Sequence, residues 1–526
     1  MLNWYLLLKK ANNNNFVEIT ESEKKLFSLI KSGRDKYAPG IKLRIAGGWI
    51  RDRLLGKVSD DIDIAVSGGN GNRVAEAIRR FDLGLTGGKQ TGNPYSVSLE
   101  KTLPGEKERS AGLRVGALDI LGTKIEFVPM RTESYDENSR VPKIEATDDP
   151  REDAKRRDLT INAIYYNIDT ESIEDYSGGV DDLRRGILRT PVDPVVTLKE
   201  DPLRALRVMR FLSKMSGFKI SEDLKEALSK PEVHEAYRAK VAPERARAEI
   251  EKMVIGDRPG DAIRMLFESG LYLSVFGSDR LNSFKPITMD QNNKHHRLNL
   301  MNHTIAVVEN LNKELKREGA SDRERMIAIL AAIFHDFGKM DQSIETQSDS
   351  NPGTSAYHGH EDVSAELAEE ILKRLGFGDD RDLVKTIVEQ HMVPHSGMST
   401  PKAIGKFLRK FESIPVPDDM KSKLWRLTYL HSIADTMSKG KVGEEEELDV
   451  NEKRQMIQKI ENFISEREKI GSKPLIDGKE IMRMFPNKNP KTGFIIEMQK
   501  SLLEAQDSGI IKDKTDAEKY LKERFL

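Results

Sequence analysis

The sequence contains no cysteine, almost no net charge and no long apolar run near its start. Without cysteine, disulfides, thiolate zinc sites, iron–sulfur clusters and a cysteine nucleophile are excluded, so any metal site must use His, Asp, Glu and water. The 85 Lys and Arg residues balance 86 Asp and Glu residues, which excludes a globally basic coat but allows a local basic groove. The apolar run at residues 4–8 is too short for a secretory signal or a membrane span, so we predict a cytoplasmic protein without membrane contact.

The length and the hydrophobic pattern predict several domains and the α+β class. A chain of 526 residues exceeds the roughly 250–300 residues that one hydrophobic core supports. Strand-like and helical stretches alternate to about residue 167, whereas apolar residues recur at helical spacing from about residue 202. We predict a mixed-sheet head at residues 1–190 and three all-helical segments: a neck and body at 191–285, a third domain at 286–440 and a tail at 441–526.

Three polar segments are predicted to lack regular structure. Residues 132–153 are rich in charge and poor in apolar side chains, and the family resemblance given below implies that they form a mobile loop in the head. Residues 341–357 are interpreted as a long loop between helices, and residues 444–447 as a solvated linker before the tail. A further strand is predicted at residues 95–99.

A Gly-Gly pair follows the first predicted strand, and two aspartates lie on the second. Gly47 and Gly48 allow a phosphate to approach the backbone at the N-terminus of a short helix, where free N–H groups and the helix dipole favour an anion. Asp61 and Asp63 are two residues apart on a strand and therefore project to the same side. Paired carboxylates can hold two Mg²⁺ ions that activate a hydroxyl nucleophile and stabilise a leaving pyrophosphate. Either motif alone is more often a turn or a solvated edge, but the two in this order are more specific.

A ridge of charge is predicted at the start of the helical region. Asp201, Arg204, Arg207 and Arg210 are spaced three apart, so on one helix they would form a slowly spiralling ridge. A carboxylate accepts from an exocyclic amine, and a guanidinium donates to ring nitrogens or a carbonyl. Asp201 and Arg204 can thus imitate a Watson–Crick edge that accepts ATP and CTP and rejects UTP and GTP. The alternative is an ion-paired surface helix.

These motifs resemble a known family. Gly47-Gly48-x-x-Arg51-Asp52 followed by Asp61-x-Asp63 resembles the signature of polymerase-β-type nucleotidyltransferases. Later motifs resemble, in the same order, those of class II tRNA nucleotidyltransferases and bacterial poly(A) polymerases: Arg156-Arg157-Asp158 with Asn162, Asp175 to Leu183, Glu200-Asp201-Pro202-Leu203-Arg204, and Glu244-Arg245 with Glu249. The resemblance covers about residues 40–440, and the segment from Lys473 resembles the family's tRNA-binding tail more weakly.

The resemblance implies addition of CCA to a tRNA 3′ end from CTP and ATP, with Asp61 and Asp63 binding Mg²⁺. Glu126, on a strand between two core-facing residues, is either a third carboxylate of this set or an exposed strand residue. The residues that the resemblance assigns to nucleotide binding are Gly47, Gly48, Arg51, Asp52, Arg157, Asp158, Asn162, Asp201, Arg204, Arg207 and Arg210. A poly(A) polymerase or an enzyme that adds only part of CCA is the alternative on the same scaffold, and no obligate protein partner is inferred.

A second constellation is built from histidines, nine of which lie between His295 and His431. The adjacent pair His335-Asp336, after an apolar helical run, is similar to the mark of the HD phosphohydrolase superfamily. The superfamily's ligand order implies that His303, His335, Asp336 and Asp435 bind a divalent metal such as Mn²⁺, Ni²⁺, Co²⁺ or Mg²⁺. His360 and His391 are candidates for a second metal or for a substrate phosphate.

The histidine motif leaves several interpretations open. An HD fold without activity, kept as a helical body, is the alternative to a phosphohydrolase acting on 2′,3′-cyclic phosphates and 2′-phosphates. No role is assigned to the remaining histidines of the cluster: His295, His296, His395 and His431. A nitrogen-sensor uridylyltransferase also places a nucleotidyltransferase before an HD domain, but it lacks a reason to carry the Arg-Arg-Asp and Glu-Asp-x-x-Arg motifs. A non-catalytic tRNA-binding protein would have no use for Asp61 and Asp63.

Overall fold

The computed structural model describes residues 17–59, 61–85, 114–120, 122–134, 142–292, 297–348, 353–398, 400–416, 418–439, 444–471, 473–486 and 493–525. The strand predicted at residues 95–99 and the histidines His295 and His296 lie outside these ranges. The chain divides into two compact units, the first comprising Met1–Met253 with Glu268–Val275 and the second comprising Val254–Phe267 with Phe276–Leu526. Within the described ranges, every helix is too short or too polar to cross a membrane.

The described residues up to Val254 form ten strands and ten α-helices. The strands are β1 (Lys42–Ala46), β2 (Asp61–Ser67), β3 (Gly116–Ile120), β4 (Thr123–Pro129), β5 (Arg131–Ser134), β6 (Lys143–Ala146), β7 (Ile164–Asn167), β8 (Ser172–Asp175), β9 (Ile187–Leu188) and β10 (Lys219–Ile220). The helices are α1 (Glu21–Tyr37), α2 (Gly48–Leu54), α3 (Gly71–Leu85), α4 (Pro150–Lys155), α5 (Gly179–Arg185), α6 (Pro194–Glu200), α7 (Leu203–Lys214), α8 (Glu222–Leu228), α9 (Pro231–Lys240) and α10 (Pro243–Val254).

A six-stranded mixed sheet organises the first unit, with strand order β3-β4-β2-β1-β7-β8. Strands β2 and β4 run parallel, and the other neighbours run antiparallel. Along β2 the side chains alternate, so that Ile62 and Ile64 are buried while Asp61 and Asp63 face away from the core. The period-two pattern that the sequence shows is therefore the pattern that aims the two carboxylates to one side.

The later part of the chain is mainly helical. Its helices are α11 (Pro259–Glu268), α12 (Tyr272–Phe276), α13 (Asp279–Ser283), α14 (Leu300–Arg317), α15 (Asp322–Phe334), α16 (His360–Leu375), α17 (Asp380–Gln390), α18 (Pro401–Glu412), α19 (Asp418–Thr436), α20 (Glu444–Ile470), α21 (Gly478–Met484), α22 (Phe494–Asp507) and α23 (Lys514–Phe525). Short 3₁₀ helices occur at Thr160–Asn162, Phe337–Met340, Gln342–Ile344 and Val393–His395. A sheet-rich head followed by helices confirms the predicted α+β class.

Helix α15 is the central helix of the second unit. Every residue from Met326 to Phe334 is buried, as expected for a helix that is apolar on all sides and packed by neighbours all round. Those neighbours are α14, α16, α17 and α19. His335 caps the C-terminal end of α15 and Asp336 follows it, so the packing of this helix in the core fixes the position of the His-Asp pair.

Regular structure forms where the sequence predicted none. In the predicted mobile loop, β5 and β6 pair as an antiparallel ribbon, and α4 begins at an Asp149 N-cap. Residues Glu345–Gln347 (β11) pair with Ser355–Tyr357 (β12) inside the predicted long loop. The predicted linker at Glu444 opens the 27-residue helix α20, because acidic residues are favoured in a first helical turn, where they meet the positive end of the helix dipole.

Two glycines allow helix α3 to touch the sheet backbone. A Cβ atom on Gly71 would lie 1.9 Å from the carbonyl oxygen of Phe127, and one on Gly116 would lie 2.4 Å from the carbonyl oxygen of Gly71. Neither contact can open without moving the helix off β3 and β4, since the obstructing atoms belong to the backbone.

Replacing Gly71 with Ala should therefore destabilise the protein by about 1–3 kcal/mol, the usual cost of overpacking a core. Gly84→Ala is the matched control in the same helix, since nothing lies within 4 Å of its Cβ position. That variant should be neutral or stabilised by about 0.4–1 kcal/mol. Urea unfolding of the two full-length variants measures the difference, and equal stabilities would contradict the close approach.

Candidate active sites

A cavity of about 840 Å³ in the first unit collects most of the predicted head residues. Its lining includes the predicted residues Gly47, Gly48, Arg51, Asp63, Glu126, Arg157, Asp158, Asn162, Asp201, Arg204 and Arg207. Among the described residues, the predicted Asp52, Asp61 and Arg210 lie outside this lining. Carboxylates of the central sheet therefore line one part of the cavity wall, and charged residues of α7 and of the segment before α7 line another part.

The sheet places two carboxylates directly beside each other. Asp63 on β2 is the register partner of Glu126 on the parallel strand β4, and Asp61 pairs with Lys124 two positions earlier. Although Asp63 is open to solvent through the cavity, its pKa is raised, first by partial removal from water and then by the negative charge of Glu126. Like charges held side by side favour a cation between them, and oxygen ligands of this kind suit Mg²⁺. These residues fit a divalent cation.

The Gly-Gly turn brings backbone close to those carboxylates. Gly47 has φ +72° and N-caps helix α2, a conformation that glycine adopts without strain. A Cβ there would lie 3.9 Å from Oδ2 of Asp63 and 3.7 Å from Nη1 of Arg157. The start of α2 therefore lies next to both the carboxylate of Asp63 and the guanidinium of Arg157. The space between these groups and the backbone of Gly47 is narrow.

Arg51 is fixed from two sides. Its Nη1 donates to Oδ1 of Asn162 at 2.7 Å, and its guanidinium lies over the ring of Phe211 at 5.2 Å. The guanidinium of Arg210 lies over the same ring at 4.5 Å, and Arg210 Nε is 2.6 Å from Oε2 of Glu249. Arg210 thus acts behind the cavity wall, where it holds the aromatic ring on which Arg51 rests.

The Arg-Arg-Asp motif neutralises buried carboxylates. Asp153 is fully buried, and its carboxylate accepts hydrogen bonds from Arg156, Arg157 and the hydroxyl of Tyr165. Burial raises the pKa of this carboxyl, but the two arginines lower the pKa more, to well below the usual range. Asp158 is likewise buried but accepts from Arg207 at 2.6 Å, and its pKa is lowered to about 2. The predicted nucleotide-binding residues Arg157, Asp158 and Arg207 are therefore held by ion pairs within the protein.

Asp201 and Arg204 share the cavity, but not in the way the sequence predicted. Asp201 does not lie on the helix of Arg204; it follows α6 in extended conformation, because a proline at the next position disfavours the helical conformation. Its carboxylate is 3.4 Å from Nη2 of Arg245. Arg204 is buried, and its two terminal nitrogens donate to the carbonyls of Thr197 at 3.1 Å and Arg156 at 2.7 Å.

Sequence reasoning missed several residues of the lining, among them Glu133, Phe211 and Lys240. Glu133 could have been found, because it lies two residues after Arg131 on a strand and so faces the same side; the two side chains are 2.8 Å apart. Phe211 follows Arg207 by four residues on one helix, which places both on one face. No sequence pattern marks Lys240, which reaches the cavity from the end of α9.

In the second unit, two groups of buried side chains have ligand atoms within 4.8 Å of one another. One group is His303, His335 and Asp435, and the other is Asp336, His360 and His391. These are the six residues for which the sequence predicted a metal site. Within the part of the chain that the structure describes, no other group meets this distance.

Asp336 lies between the two groups. Its Oδ2 is 3.2 Å from Nε2 of His335 and 3.4 Å from Nε2 of His303, whereas its Oδ1 is 3.2 Å from Nε2 of His360 and 3.9 Å from Nε2 of His391. Each carboxylate oxygen therefore faces a different pair of imidazoles. Either oxygen of the carboxylate therefore lies where it would hold a cation together with the imidazoles next to it.

Backbone carbonyls fix the tautomer of the four imidazoles. The Nδ1 atoms of His303, His335, His360 and His391 lie 3.2, 2.9, 2.8 and 2.6 Å from the carbonyl oxygens of Ser438, Ala332, Tyr357 and Val388, respectively. A carbonyl only accepts, so each Nδ1 must donate, and each Nε2 carries a lone pair whenever the ring is neutral, as it must be to bind a metal. The buried Nε2 atoms of His335 and His360 have no hydrogen-bond partner. The set therefore fits divalent transition-metal ions, which bind imidazole nitrogen and carboxylate oxygen.

The charges in this cluster are strongly coupled. Burial raises the pKa of Asp336, but His335 and Lys339 lower it more, to well below the usual range. Burial lowers the pKa of His303, but Asp336 and Asp435 raise it more, to about 9. The buried carboxylates of Asp336 and Asp435 therefore favour a positive charge beside them. In the metal-free protein, the raised pKa of His303 allows a protonated imidazole to provide that charge.

Two histidines without a predicted role adjoin the same cluster. Nε2 of His395 lies 2.9 Å from Oδ2 of Asp435 and 3.1 Å from Oγ of Ser432. His431 is fully buried, which lowers its pKa to about 3 and keeps the imidazole neutral. The spacing of His431 and Asp435, four residues on one helix, was the signal available in the sequence.

Three family models match the chain in order. Residues 43–189 match the poly A polymerase head domain, residues 217–277 match the probable RNA and SrmB-binding site of polymerase A, and residues 300–421 match the HD domain. The head match contains the carboxylates of β2 and β4, and the HD match contains five of the six residues in the two metal-ligand groups.

The chain is similar to named proteins over parts of its length. It is 33% identical over 282 residues to the mitochondrial CCA tRNA nucleotidyltransferase of Saccharomyces cerevisiae, covering 51% of this chain and 50% of that protein. It is 35% identical over 267 residues to tRNA nucleotidyltransferase cca2 of Schizosaccharomyces pombe, covering 49% of this chain and 54% of that protein. The chain therefore spans about half the length of these curated relatives.

A solved structure has the same fold over almost the whole chain. The Thermotoga maritima CCA-adding enzyme complexed with tRNA-CCA matches with a TM-score of 0.56 and 19% identity, covering 99% of this chain and 98% of that chain. The chain therefore shares the fold of that CCA-adding enzyme, and it contains, in order, regions similar to a poly A polymerase head domain, to the probable RNA-binding site of polymerase A and to an HD domain.

Proposed function

We propose that the chain adds CCA to the 3′ end of tRNA from CTP and ATP without a nucleic-acid template. The observation that carries the proposal is one cavity that holds both the Asp63–Glu126 carboxylates and the charged pair Asp201 and Arg204. The first set suits phosphoryl transfer, and the second suits recognition of a base edge. The names of the relatives from two yeasts and of the Thermotoga maritima structure support the same activity.

The chain's own residues would position the reactants. Asp61, Asp63 and Glu126 would hold Mg²⁺, which when bound would neutralise the triphosphate and make the tRNA 3′-hydroxyl more acidic. The free N–H groups at the start of α2, beside Gly47 and Gly48, would bind phosphate oxygens. Arg51, held by Asn162 and Phe211, would present a preorganised guanidinium to the same phosphates.

Nucleotide choice would be made by Asp201 with the arginines around it. Asp201 offers a carboxylate acceptor to the exocyclic amine that both ATP and CTP carry. Arg204 is held by two backbone carbonyls and would align the segment that bears Asp201, while its remaining N–H donors would serve the base. Arg207, fixed by Asp158, would extend the basic surface toward the phosphates.

We further propose a metal-dependent phosphohydrolase in the second unit, acting on 2′,3′-cyclic phosphates and 2′-phosphates. His303, His335, Asp336, Asp435, His360 and His391 would hold two cations such as Mn²⁺, Ni²⁺, Co²⁺ or Mg²⁺, which when bound would polarise the phosphoryl group and make water more acidic. Lys339 and His395, which adjoin Asp336 and Asp435, would hold those carboxylates in place. Such an activity would clear blocked 3′ ends before CCA addition.

Poly(A) addition, or addition of only part of CCA, is the second candidate, because two of the three matching models carry the name of polymerase A. Transcripts of tRNA ending before CCA, after C and after CC, each incubated with single labelled nucleotides and sequenced, separate the two activities. A homopolymeric A tail on all three transcripts would overturn CCA addition. The predicted cytoplasmic location stays a prediction, since one relative is named as mitochondrial.

Asp63→Asn should reduce nucleotide addition by at least about 100-fold, because a carboxylate that stabilises the transferring phosphoryl group through a cation is lost. Filter binding should show tRNA affinity within about twofold of wild type, since the side chain faces the sheet end of the cavity and carries no basic charge. Asp181→Asn, an exposed carboxylate on α5, is the matched control and should retain activity. Addition by Asp63→Asn within tenfold of wild type would show that the carboxylates are misassigned.

Asp201→Asn should weaken discrimination against UTP and GTP by about 1–3 kcal/mol, because an amide can donate to the carbonyl that these bases present. The measurement is kcat/KM for each of the four nucleotides on a tRNA ending in CC. Asp223→Asn, exposed on α8, is the control. If Asp201→Asn still refuses UTP and GTP as strictly as wild type, base selection belongs to other residues.

The double substitution His335→Ala with Asp336→Ala should remove bound metal and abolish hydrolysis of 2′,3′-cyclic AMP. The loss should be at least about 100-fold, since losing even an outer-shell partner costs 10–100-fold. Addition of CCA to a tRNA with a free 3′-hydroxyl should persist, because its residues lie in the first unit.

The control for this pair is His358→Ala, an exposed histidine two residues before His360. Metal content by mass spectrometry and hydrolysis in Mn²⁺, Ni²⁺, Co²⁺ and Mg²⁺ are measured separately. An absence of hydrolysis by wild type in all four metals would favour an HD fold kept as an inactive body.

A further inference from the structure

His431 is a buried imidazole that neither metal-ligand group uses. It lies on helix α19, one turn before Asp435, and its exposed fraction is 0%. Neither Nδ1 nor Nε2 has a hydrogen-bond partner, so both polar atoms of the ring are buried and unsatisfied. Burying even one polar group in this way costs about 1–3 kcal/mol, so the two ring nitrogens call for a partner that the described side chains and backbone do not provide.

The ring of His431 adjoins one histidine of each metal-ligand group. Its centroid lies 4.9 Å from that of His335, in the first group, and 5.8 Å from that of His391, in the second. The interplanar angles are 72° and 74°, so the edge of one ring meets the face of another in each pair. His431 therefore occupies the side of the cluster where the two groups come together.

The ring is not placed as a further metal ligand. Its nitrogens are outside both groups of ligand atoms that lie within 4.8 Å of one another. The four ligating imidazoles each donate Nδ1–H to a backbone carbonyl, whereas Nδ1 of His431 has no such bond. An imidazole that is not oriented by the backbone and is not a ligand still offers at least one N–H donor in either tautomer.

We infer that His431 is a substrate-binding residue of the second-unit site and donates an N–H to a phosphoryl oxygen of the phosphate ester held between the two metal-ligand groups. The inference rests on the proposed phosphohydrolase and adds a residue to it. An anionic oxygen at this position would satisfy the buried donor that the protein leaves unpaired, and charge-assisted hydrogen bonds of this kind are the strong ones. Bases and sugars offer no comparable negative charge, so the phosphoryl group is the part of the substrate that the ring recognises.

The experiment compares wild type with His431→Phe, which keeps the ring volume but has no donor, and His431→Asn, which keeps a donor in a smaller side chain. All proteins are full-length and loaded with Mn²⁺. Metal content is measured by mass spectrometry, and the Kd of inorganic phosphate is measured by calorimetry. Parallel titrations with 2′-AMP and 2′,3′-cyclic AMP distinguish free phosphate from a phosphate ester as the bound group, and His358→Phe is the surface control.

His431→Phe should bind the same amount of Mn²⁺ but bind phosphate and 2′-AMP about 10- to 100-fold more weakly, as expected for a lost hydrogen bond to a charged group. His431→Asn should recover part of that loss, and His358→Phe should match wild type. Thermal unfolding of each variant confirms that it is folded, and the Asn variant decides the question if the Phe ring does not fit.

Two results would overturn the inference. Loss of Mn²⁺ from both variants would make His431 a metal ligand, and unchanged phosphate affinity in both would leave the ring without a substrate contact. Failure of the proposed function is distinguishable: wild type that binds phosphate through His431 but does not hydrolyse 2′,3′-cyclic AMP would refute only the hydrolase. Wild type that binds neither Mn²⁺ nor phosphate would overturn both.

Discussion

A carboxylate withdrawn from water is stable only beside positive charge, and both sites are built around that requirement. In the first unit, Arg156 and Arg157 neutralise Asp153, and Arg207 neutralises Asp158. Those pairs are complete within the protein and fix the wall of the cavity. Asp63 and Glu126 differ, because the sheet register places two acids side by side at the cavity, and the negative charge of Glu126 helps to raise the pKa of Asp63. The acids that are paired with arginines form the wall of the cavity, and the two neighbouring acids of the sheet are the ones proposed to hold the cation.

The second unit follows the same rule with different cations. Lys339 and the protonated imidazole of His303 lie against Asp336, but the buried Nε2 atoms of His335 and His360 remain unsatisfied. The first-unit acids present oxygen alone, whereas the second-unit cluster presents both nitrogen and oxygen atoms to a cation. The candidate ligands belong to separate compact units, so the two sites share no residue.

The sequence predicted the parts of these sites that depend on local geometry. Alternation along β2 was enough to aim Asp61 and Asp63 to one side, and motif spacing brought His335 and Asp336 to the end of a buried helix. The sequence-based predictions failed where the position of a side chain depends on residues that are distant in the chain but close in space. The bonds of Arg204 to the carbonyls of Arg156 and Thr197 join residues up to 48 positions apart, which no spacing rule anticipates. The extended conformation of Asp201, by contrast, could have been predicted, because a residue that precedes a proline disfavours the helical conformation.

The imidazole orientations have a consequence for how the metal cluster tolerates sequence change. His335, His360 and His391 each bond to a carbonyl only three residues earlier in the chain. Two of these histidines cap the C-terminal ends of α15 and α17, where helical carbonyls lack partners of their own. The tautomer of each ring is therefore set within a four-residue segment. Substitutions elsewhere in the core can shift whole helices, and with them ligand distances, without turning the wrong nitrogen toward the metal. The distances between the ligands of such a cluster, and with them the cation that it prefers, can change while each imidazole keeps the nitrogen that coordinates a metal directed toward the site.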